Sequence, residues 1–289
     1  IGRKAFRFEL DPLLDEIATG KLPRCKVVCS VRDILVEKED QARHETRAVE
    51  ALNRWFDALL VHADPDAIRL DATFSRMDAI RIPVVYTGFV APPVAPVGDR
   101  TAWREAQGIA PEQPLIVVSA GGGAVGYPLL DAVTRAVPHL PDNRSIRVQV
   151  FTGPFMPAEN IAQLNRRSSD QLRIDRFTPD FPAWLQAADL SVSMAGYNTC
   201  MNILTTGVRA LVHPFDQNRE QGLRARLLAD RGLLGVLSDD DLHPSALADR
   251  MARQLQVPCP RLNDAVDIEG AANTARWIAD TMPQATGTP

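Results

Sequence analysis

The segment from Asp189 to Gln221 constrains the fold more than any other part of this chain. Residues 190–194 form a short β-prone run, and Gly196 allows a sharp turn after it. Asn198 and Thr199 have side chains that cap helix N-termini well, so they predict the start of a helix. The segment therefore predicts a strand, a tight turn and a helix in immediate succession.

The same segment continues with a second strand and a second helix. Gly207 ends the first helix, residues 209–213 form the next strand, and Pro214 stops that strand. Residues 218–221, with the sequence Asn-Arg-Glu-Gln, begin another helix. Two strand ends and two helix N-termini are thereby expected at one edge. That edge suits a phosphate-bearing ligand, because helix N-termini attract anions.

Several residues of this segment have the order and spacing of a known family pattern, and they are Ser193, Gly196, Gly207, Pro214 and Gln221. A Ser-x-x-Gly turn, a helix, a strand bounded by Gly and Pro, and a Gln-rich loop are found in the MurG-like glycosyltransferases of family 28. The segment resembles their C-terminal domain. The resemblance implies an α/β, GT-B-like fold with two Rossmann-like parallel-sheet domains. The alternative is an ordinary strand-turn-helix-strand unit of any α/β protein.

Length, charge and cysteine content limit the class of protein. A chain of 289 residues suits two domains, and a net charge of −4 gives no bulk attraction for nucleic acid. No apolar run reaches the length of about 18 residues that spans a membrane, which leaves only peripheral membrane contact open. The four cysteines lack paired metal-ligand spacing, so we interpret them as core residues of a cytoplasmic protein.

A proline-rich linker divides the chain. Strands and helices alternate before it, as in a parallel α/β sheet, and residues 91–99 include three prolines. We expect residues 1–90 to be the remaining part of an N-terminal, acceptor-side domain. Residues 100–267 are predicted to form a C-terminal donor domain, and residues 268–289 a helix and a tail. The first domain is expected to be incomplete, because Ile1 is not methionine and no Gly-rich loop precedes the first strand.

A glycine-rich loop follows the predicted strand 115–119 and opens a helix. It satisfies G-x-G-x-x-G, and Gly121, Gly122 and Gly123 would let a phosphate approach the backbone. A dinucleotide site would require an acidic residue at the end of the second strand, and residues 150–153 contain none. The pattern favours a diphosphate loop of a nucleotide-sugar site. A packing turn without a ligand is the alternative.

The family resemblance implies further roles in donor binding. Thr178 falls where the family reads the nucleobase through the backbone, and Asn202 falls where the family usually has a glutamate that clamps the ribose. Glu220 and Gln221 fall at the donor-sugar hydroxyls, and Gln217 lies on the same loop. The complete predicted donor-binding set is Gly121, Gly122, Gly123, Thr178, Ser193, Gly196, Asn198, Thr199, Asn202, Gln217, Glu220 and Gln221.

The first domain carries a second resemblance. Residues 30–33 and 86–90 are similar to a branch of predicted glycosyltransferases, which extends the likeness over nearly the whole chain. It implies that the catalytic base lies in a Gly-His-rich part of the domain that this sequence lacks. His62 and His213 stand at strand ends and form no Ser/His/Asp set that the sequence shows, so a hydrolase triad has no support. We interpret both histidines as structural, and a position of His213 near the donor sugar is the alternative.

The predicted function is transfer of a sugar from a nucleotide-diphosphate sugar, with a UDP-sugar as the favoured donor, to an acceptor hydroxyl. The acceptor, whether a glycan, a lipid-linked sugar or a small molecule, is not determined. The run 239–241 is interpreted as a solvated helix cap, and neither a metal ion nor a cofactor besides the donor is expected. Two alternatives are a nucleotide-sugar epimerase on the same fold, which would need acid and base carboxylates, and a non-catalytic nucleotide-sugar-binding module.

Overall fold

The computed structural model of the chain describes residues 6–34, 40–141, 145–215, 219–260 and 265–281. These residues form two compact units. Unit 1 takes its described residues from 1–90 and 266–289, and unit 2 takes them from 91–265. The chain therefore enters unit 2 at the proline-rich segment and returns to unit 1 for its last helix.

Unit 1 is a three-stranded parallel sheet with helices, in the strand order β1-β2-β3. Its elements are α1 (Arg7–Ala18), β1 (Val28–Val31), α2 (Gln41–Trp55), β2 (Ala58–Val61), β3 (Val84–Tyr86) and, from the C-terminal segment, α10 (Gly270–Thr281). The amphipathic pattern of residues 41–59 predicts one long helix, and α2 ends four residues earlier, at Trp55. Phe56 is already extended, and the backbone N–H of Asp57 donates to the carbonyl of Val27, which starts the pairing of β2.

Unit 2 is a six-stranded parallel sheet in the order β6-β5-β4-β7-β8-β9. Its elements are α3 (Arg100–Ala106), β4 (Leu115–Ser119), α4 (Tyr127–Ala136), β5 (Arg147–Phe151), α5 (Ala158–Asn165), β6 (Leu172–Asp175), α6 (Phe181–Ala187), β7 (Leu190–Met194), α7 (Tyr197–Thr206), β8 (Ala210–His213), α8 (Arg219–Ala229), β9 (Gly235–Val236) and α9 (Pro244–Gln256).

The strand order of unit 2 defines a topological switch point between β4 and β7. The chain adds β5 and β6 on one side of β4, and then β7, β8 and β9 on the other side. In open α/β sheets, ligands bind at the carboxyl ends of the strands where this reversal occurs. The loops that follow β4 and β7 are therefore the parts of unit 2 best placed to hold a ligand.

The core of unit 2 is built on the central strands. Every residue of β4, β5, β7 and β8 is buried, as expected for parallel strands that are covered on both faces. Leu130 and Val133 of α4 join Leu247 and Met251 of α9 in this core. At the opposite edge of the sheet, Asp189 accepts hydrogen bonds from Arg100 and from the backbone N–H of Leu115. These contacts fix the start of the two strands that flank the switch point.

Helix α7 begins two residues earlier than its sequence predicts. Gly196 is the N-cap, in an extended conformation, so Asn198 and Thr199 belong to the first turn and do not cap the helix. Gly207 ends α7 in the left-handed region with φ of 64°, as predicted. Residues 233–237 predict a last short strand, and the observed strand comprises only Gly235–Val236.

Candidate functional site

Two glycines on opposite sides of the switch point face the same side chain. Gly121 follows β4 and Gly196 follows β7. A Cβ atom added to either glycine would lie 4.0 Å from Thr199 Oγ1, and no other atom is closer than that. Thr199 itself is buried in the first turn of α7. The backbones at Gly121 and Gly196 thus border one open space, and the hydroxyl of Thr199 lies next to it.

Gly123 of the glycine-rich loop packs against the loop that follows β5. A Cβ on Gly123 would overlap the carbonyl oxygen of Thr152 and lie 3.0 Å from the backbone nitrogen of Met156. A Cβ on Gly153 would in turn lie 2.6 Å from the backbone nitrogen of Gly123. The loops after β4 and β5 therefore pack backbone against backbone. The Cβ direction of Gly123 is therefore filled by protein, and its role in admitting a phosphate stays a prediction.

The Cβ direction of Gly122 points towards Phe155. A Cβ there would contact Phe155 Cδ2 at 3.5 Å, and the backbone N–H of Phe155 donates to the carbonyl of Gly122 at 2.9 Å. Phe155 is largely exposed to solvent. Of the three predicted loop glycines, only Gly121 therefore opens towards the space at the switch point.

The start of α7 supplies polar groups to this space. No side chain among the residues that the structure describes caps its N-terminus. Asn198 is exposed, and Asn202, one turn later, is half-buried. Residues four apart lie on one face of a helix, so Asn198 and Asn202 share a face. This arrangement brings the predicted residues Gly196, Asn198, Thr199 and Asn202 together.

A buried arginine that the sequence analysis missed lies against the same turn. Arg224 of α8 is buried, and its Nη1 lies 3.4 Å from the carbonyl oxygen of Ala195. Its guanidinium carbon lies 5.4 Å from the ring centre of Tyr197. Arg224 falls outside every motif of the sequence, and only the fold of α8 onto α7 shows its position. It places a permanent positive charge at the N-terminus of α7.

Ser193 is placed inside the sheet. It is fully buried in β7, beside Ser119 of β4, and its hydroxyl has no hydrogen-bond partner among the described residues. The hydroxyl of Ser119 instead accepts a hydrogen bond from the backbone N–H of Gly121 at 3.1 Å. Ser119, which the sequence analysis did not select, therefore orients the glycine that opens onto the site.

Thr178 lies at the same carboxyl edge as Gly121, in the loop after β6. Since β6 is two strands from β4, about 10 Å separates the two strand axes. The hydroxyl of Thr178 accepts a hydrogen bond from the backbone N–H of Asp180, which orders this loop. Phe177 precedes it and is two-thirds exposed, so an apolar ring stands beside the loop.

The start of α8 lies beside the strand next to β7. Gln221 Oε1 accepts a hydrogen bond from the backbone N–H of Phe215 at 3.2 Å. Glu220 Oε2 is buried, and within the described part of the chain it has no hydrogen-bond partner. Gln217 lies outside the described residues. Of the three residues predicted to contact the sugar, the structure therefore describes Glu220 and Gln221 but not Gln217.

His213 has a carboxylate partner that the sequence did not show. Its Nε2 lies 3.0 Å from Oδ1 of Asp239, across the end of β8. The pair borders a cavity of about 530 Å³ whose lining includes Arg219 and Arg226 of α8. This contact links β8 to the segment after β9. It agrees with a structural interpretation of His213.

Neither metal-binding clusters nor membrane spans are found in the described part of the chain. Within the ranges given above, no group of three or more His, Cys, Asp and Glu side chains is arranged to hold a metal ion. Among the helices described, none is both long enough and apolar enough to cross a bilayer. None of the four cysteines, all of which the structure describes, forms a disulfide, and Cys29 and Cys200 are buried.

Comparison with known proteins agrees with the fold. Residues 116–278, more than half of the chain, match the glycosyltransferase family 28 C-terminal domain. The chain therefore belongs to this family, which confirms the predicted resemblance. The match includes the glycine-rich loop, α7 and the start of α8.

Curated relatives that match the chain are N-acetylglucosamine transferases by name. A UDP-N-acetylglucosamine–N-acetylmuramyl-(pentapeptide) pyrophosphoryl-undecaprenol N-acetylglucosamine transferase of Haemophilus influenzae (strain PittGG) is 25% identical over 174 residues, which are 60% of this chain and 49% of the relative. The enzyme of the same name from Ralstonia nicotianae is 32% identical over 144 residues, covering 48% of this chain and 39% of the relative. The chain spans about half the length of the curated relatives that it matches.

Solved structures with the same fold are glycosyltransferases. The kitacinnamycin glycosyltransferase has a TM-score of 0.59 at 17% identity and covers 97% of this chain and 67% of its own. CalG4, the calicheamicin glycosyltransferase, has a TM-score of 0.57 at 14% identity and covers 94% of this chain and 71% of its own. The fold is therefore α/β and GT-B-like, with two Rossmann-like parallel-sheet units, as the sequence predicted.

Proposed function

We propose that this chain is the donor-binding part of an enzyme that transfers a sugar from a nucleotide-diphosphate sugar to an acceptor hydroxyl. One observation carries the proposal. Gly121 and Gly196 border an open space at the switch point of unit 2, and both face the hydroxyl of Thr199. An α/β sheet binds its ligands at such a point. The family to which the chain belongs supports the same reaction.

The diphosphate of the donor would occupy this space. Neither glycine has a Cβ, so phosphate oxygens can approach the backbone. The N-terminus of α7 points its backbone N–H groups and its positive dipole end at the same place. Arg224 adds a full positive charge behind the first turn. These groups would stabilise the diphosphate as it leaves, so we expect neither a metal ion nor a cofactor to be required.

The nucleoside would extend along the carboxyl edge of the sheet from α7 to the loop that contains Thr178. Asn202 would bind a ribose hydroxyl with one acceptor and one donor, where the resembling family usually has two carboxylate oxygens. The backbone of Thr178 would meet the base. Uracil is the favoured base, because the matched relatives are UDP-N-acetylglucosamine transferases by name.

The sugar would lie towards the start of α8. Glu220 Oε2 is a buried carboxylate oxygen without a hydrogen-bond partner among the described residues, and a sugar hydroxyl would supply one. Gln221 already uses its carbonyl oxygen to hold Phe215, so its amide nitrogen is the group that would face a sugar. Gln217, on the same loop, stays a predicted sugar contact.

Calorimetric titration with UDP tests the proposal. Gly196 has an ordinary φ of −66°, and a Cβ there meets only Thr199 Oγ1 at van der Waals distance. Gly196→Ala should therefore fold normally and weaken UDP binding, because a methyl group enters the proposed diphosphate space. Gly222→Ala in α8 is the matched control and should bind as the parent does. The proposal fails if the parent binds no UDP at millimolar concentration, or if Gly196→Ala binds UDP as tightly as the parent.

A further inference from the structure

A cavity of unit 2 lies at the amino ends of the strands, at the edge opposite the switch point. Its volume is about 670 Å³, a usual size for a small-molecule site. The end of α4, the turn 137–139, the loop after α5 and Leu172, the first residue of β6, border it. Because α4 leads from the carboxyl end of β4 to the amino end of β5, its last turn lies at the amino edge. The cavity is therefore separate from the proposed donor site.

The charged side chains that line this cavity are cationic. Arg135 of α4 and Arg167 after α5 line it, and no Asp or Glu is among the lining residues that the structure describes. His139 and Gln171 add side-chain nitrogen atoms, and Ser169 adds a hydroxyl. The apolar part of the lining comprises Val137, Pro138, Leu172 and Pro244. Such a lining fits a ligand that joins an anionic group to a small apolar group.

Arg135 and Arg167 share one carboxylate, which does not itself line the cavity. Asp131 Oδ2 lies 3.1 Å from Arg135 Nη1, and Asp131 Oδ1 lies 2.8 Å from Arg167 Nη1. Arg167 Nη1 also donates to Thr134 Oγ1 at 3.2 Å. Within the described part of the chain these contacts all use Nη1, so the Nε and Nη2 donors of both arginines can serve a ligand. A phosphoryl group accepts two parallel hydrogen bonds from such a guanidinium.

The loop before β6 is held in a conformation that offers a hydroxyl proton. Ser169 Oγ accepts hydrogen bonds from the backbone N–H groups of Gln171 and Leu172, at 3.3 and 3.2 Å. These bonds do not use the hydroxyl proton of Ser169, which can therefore be donated to a ligand. Arg147, buried in β5, donates to the carbonyl of Asp170 and holds the same loop.

Positive charge exceeds negative charge around this loop. Burial lowers the pKa of Arg147, and the neighbouring Arg173 of β6 lowers it further, because two like charges on adjacent strands repel each other. These two arginines and the pair that lines the cavity carry four positive charges, against two negative charges on Asp131 and Asp170. A bound anion would offset the excess.

We propose that this cavity is a second ligand site of the protein, which binds a small phosphate ester. Arg135 and Arg167 bind the phosphoryl oxygens, and Ser169 donates its hydroxyl proton to one of them. The apolar part of the lining receives the organic group of the ester. Asp131 and Thr134 already hold Arg167, so the site needs little ordering when the ligand enters. The site goes beyond the proposed function, since it lies at the other edge of the sheet from the donor.

Calorimetry with phenyl phosphate tests the site. The parent, Arg135→Gln and Arg43→Gln would be titrated in the presence of saturating UDP, which keeps the probe out of the donor site. Arg135 is exposed, so its replacement should leave the fold intact, and Arg43 is an exposed arginine of α2 that controls for the change in net charge. Arg135→Gln should weaken binding at least about tenfold, because a charge-assisted hydrogen bond is lost. Arg43→Gln should bind as the parent does.

Two further probes distinguish the sources of a phosphoryl group. Inorganic phosphate should bind more weakly than phenyl phosphate, because it leaves the apolar lining uncovered, and equal affinities would overturn the assignment to an ester. Vesicles that contain phosphatidic acid should bind the parent and Arg135→Gln equally. Vesicle binding that Arg135→Gln abolishes would replace the small ester by a lipid headgroup.

NMR of the imidazole groups locates the bound probe. His139 lines the cavity, so phenyl phosphate should shift its ring signals and leave those of His44 in α2 unchanged. A parent that does not bind phenyl phosphate, unchanged His139 signals, or parental affinity in Arg135→Gln would overturn the inference. Arg135→Gln should keep the parental affinity for UDP. A parent that binds phenyl phosphate here but no UDP would overturn the proposed function alone.

Discussion

The guanidinium carbon of Arg224 lies 5.4 Å from the ring centre of Tyr197, so α8 presses a buried cation against the first turn of α7. The same arginine reaches the carbonyl of Ala195, in the turn between β7 and α7. A positive charge at this position adds to the dipole of α7, and both favour an anion at the helix N-terminus. Unit 2 thereby combines two sources of positive potential at its switch point.

Arg224→Met should weaken UDP binding, because it removes the charge and keeps most of the apolar stem. A hydrogen bond to a charged group is worth about 1.5–3 kcal/mol, which sets the upper limit of the loss. Arg226→Met, at an exposed position of the same helix, is the control. Calorimetry with UDP checks both variants. Equal affinities of the Arg224→Met and Arg226→Met proteins would show that Arg224 serves packing alone.

Gly123→Ala should destabilise unit 2, because its Cβ has no room beside the carbonyl of Thr152 and its φ is 87°. We expect a lower midpoint of thermal unfolding, followed by circular dichroism. The control is Gly222→Ala, whose Cβ meets only Arg226 Nη2 at 3.7 Å. A Gly123→Ala protein with the parental midpoint and no UDP binding would show instead that Gly123 serves to admit the phosphate.

Asn202→Glu should tighten UDP binding, since a carboxylate offers two acceptors to the ribose hydroxyls, and Asn202→Ala should weaken it. The gain is limited to about 1.5–3 kcal/mol and is reduced by repulsion from the diphosphate. Calorimetry with uridine isolates the ribose, because uridine carries no phosphate charge. If neither substitution changes the affinity for UDP or uridine, Asn202 is not at the ribose.

Removal of divalent metal ions should leave UDP binding unchanged. The groups expected to neutralise the diphosphate are the N-terminus of α7 and Arg224, which belong to the protein. Titration of UDP into protein treated with EDTA should give the affinity of untreated protein. A loss of affinity that Mg²⁺ or Mn²⁺ restores would contradict the metal-independent account.

Much of the fold of unit 2 follows from local sequence. Leu115–Ser119 and Leu190–Met194 have the predicted bounds, because parallel strands covered on both faces are short continuous runs of mostly apolar residues between polar ends. Gly207 ends α7 as predicted, because few other residues adopt a left-handed conformation easily. Each of these sequence patterns lies within a few residues of the strand or helix end that it specifies.

The different surroundings of Gly121 and Gly123 in the glycine-rich loop could not be predicted from the sequence. Gly121 and Gly123 are the same residue type two positions apart, and both have positive φ. Only the neighbouring backbone separates them, since Gly123 packs on the loop after β5 and Gly121 faces Thr199. The contacts of Arg224 with Ala195 and of Ser30 with His62 span 29 and 32 residues. A contact at that separation depends on the tertiary fold, which local sequence patterns do not encode.

A crystal structure of the chain with UDP is the most direct test of the account. We predict that the diphosphate lies between Gly121 and Gly196, with phosphate oxygens within hydrogen-bond distance of the backbone N–H groups of the first turn of α7. The ribose should contact Asn202, and the base should face the backbone of Thr178. Bound UDP elsewhere, for example in the cavity beside His213 and Asp239, would contradict the central claim.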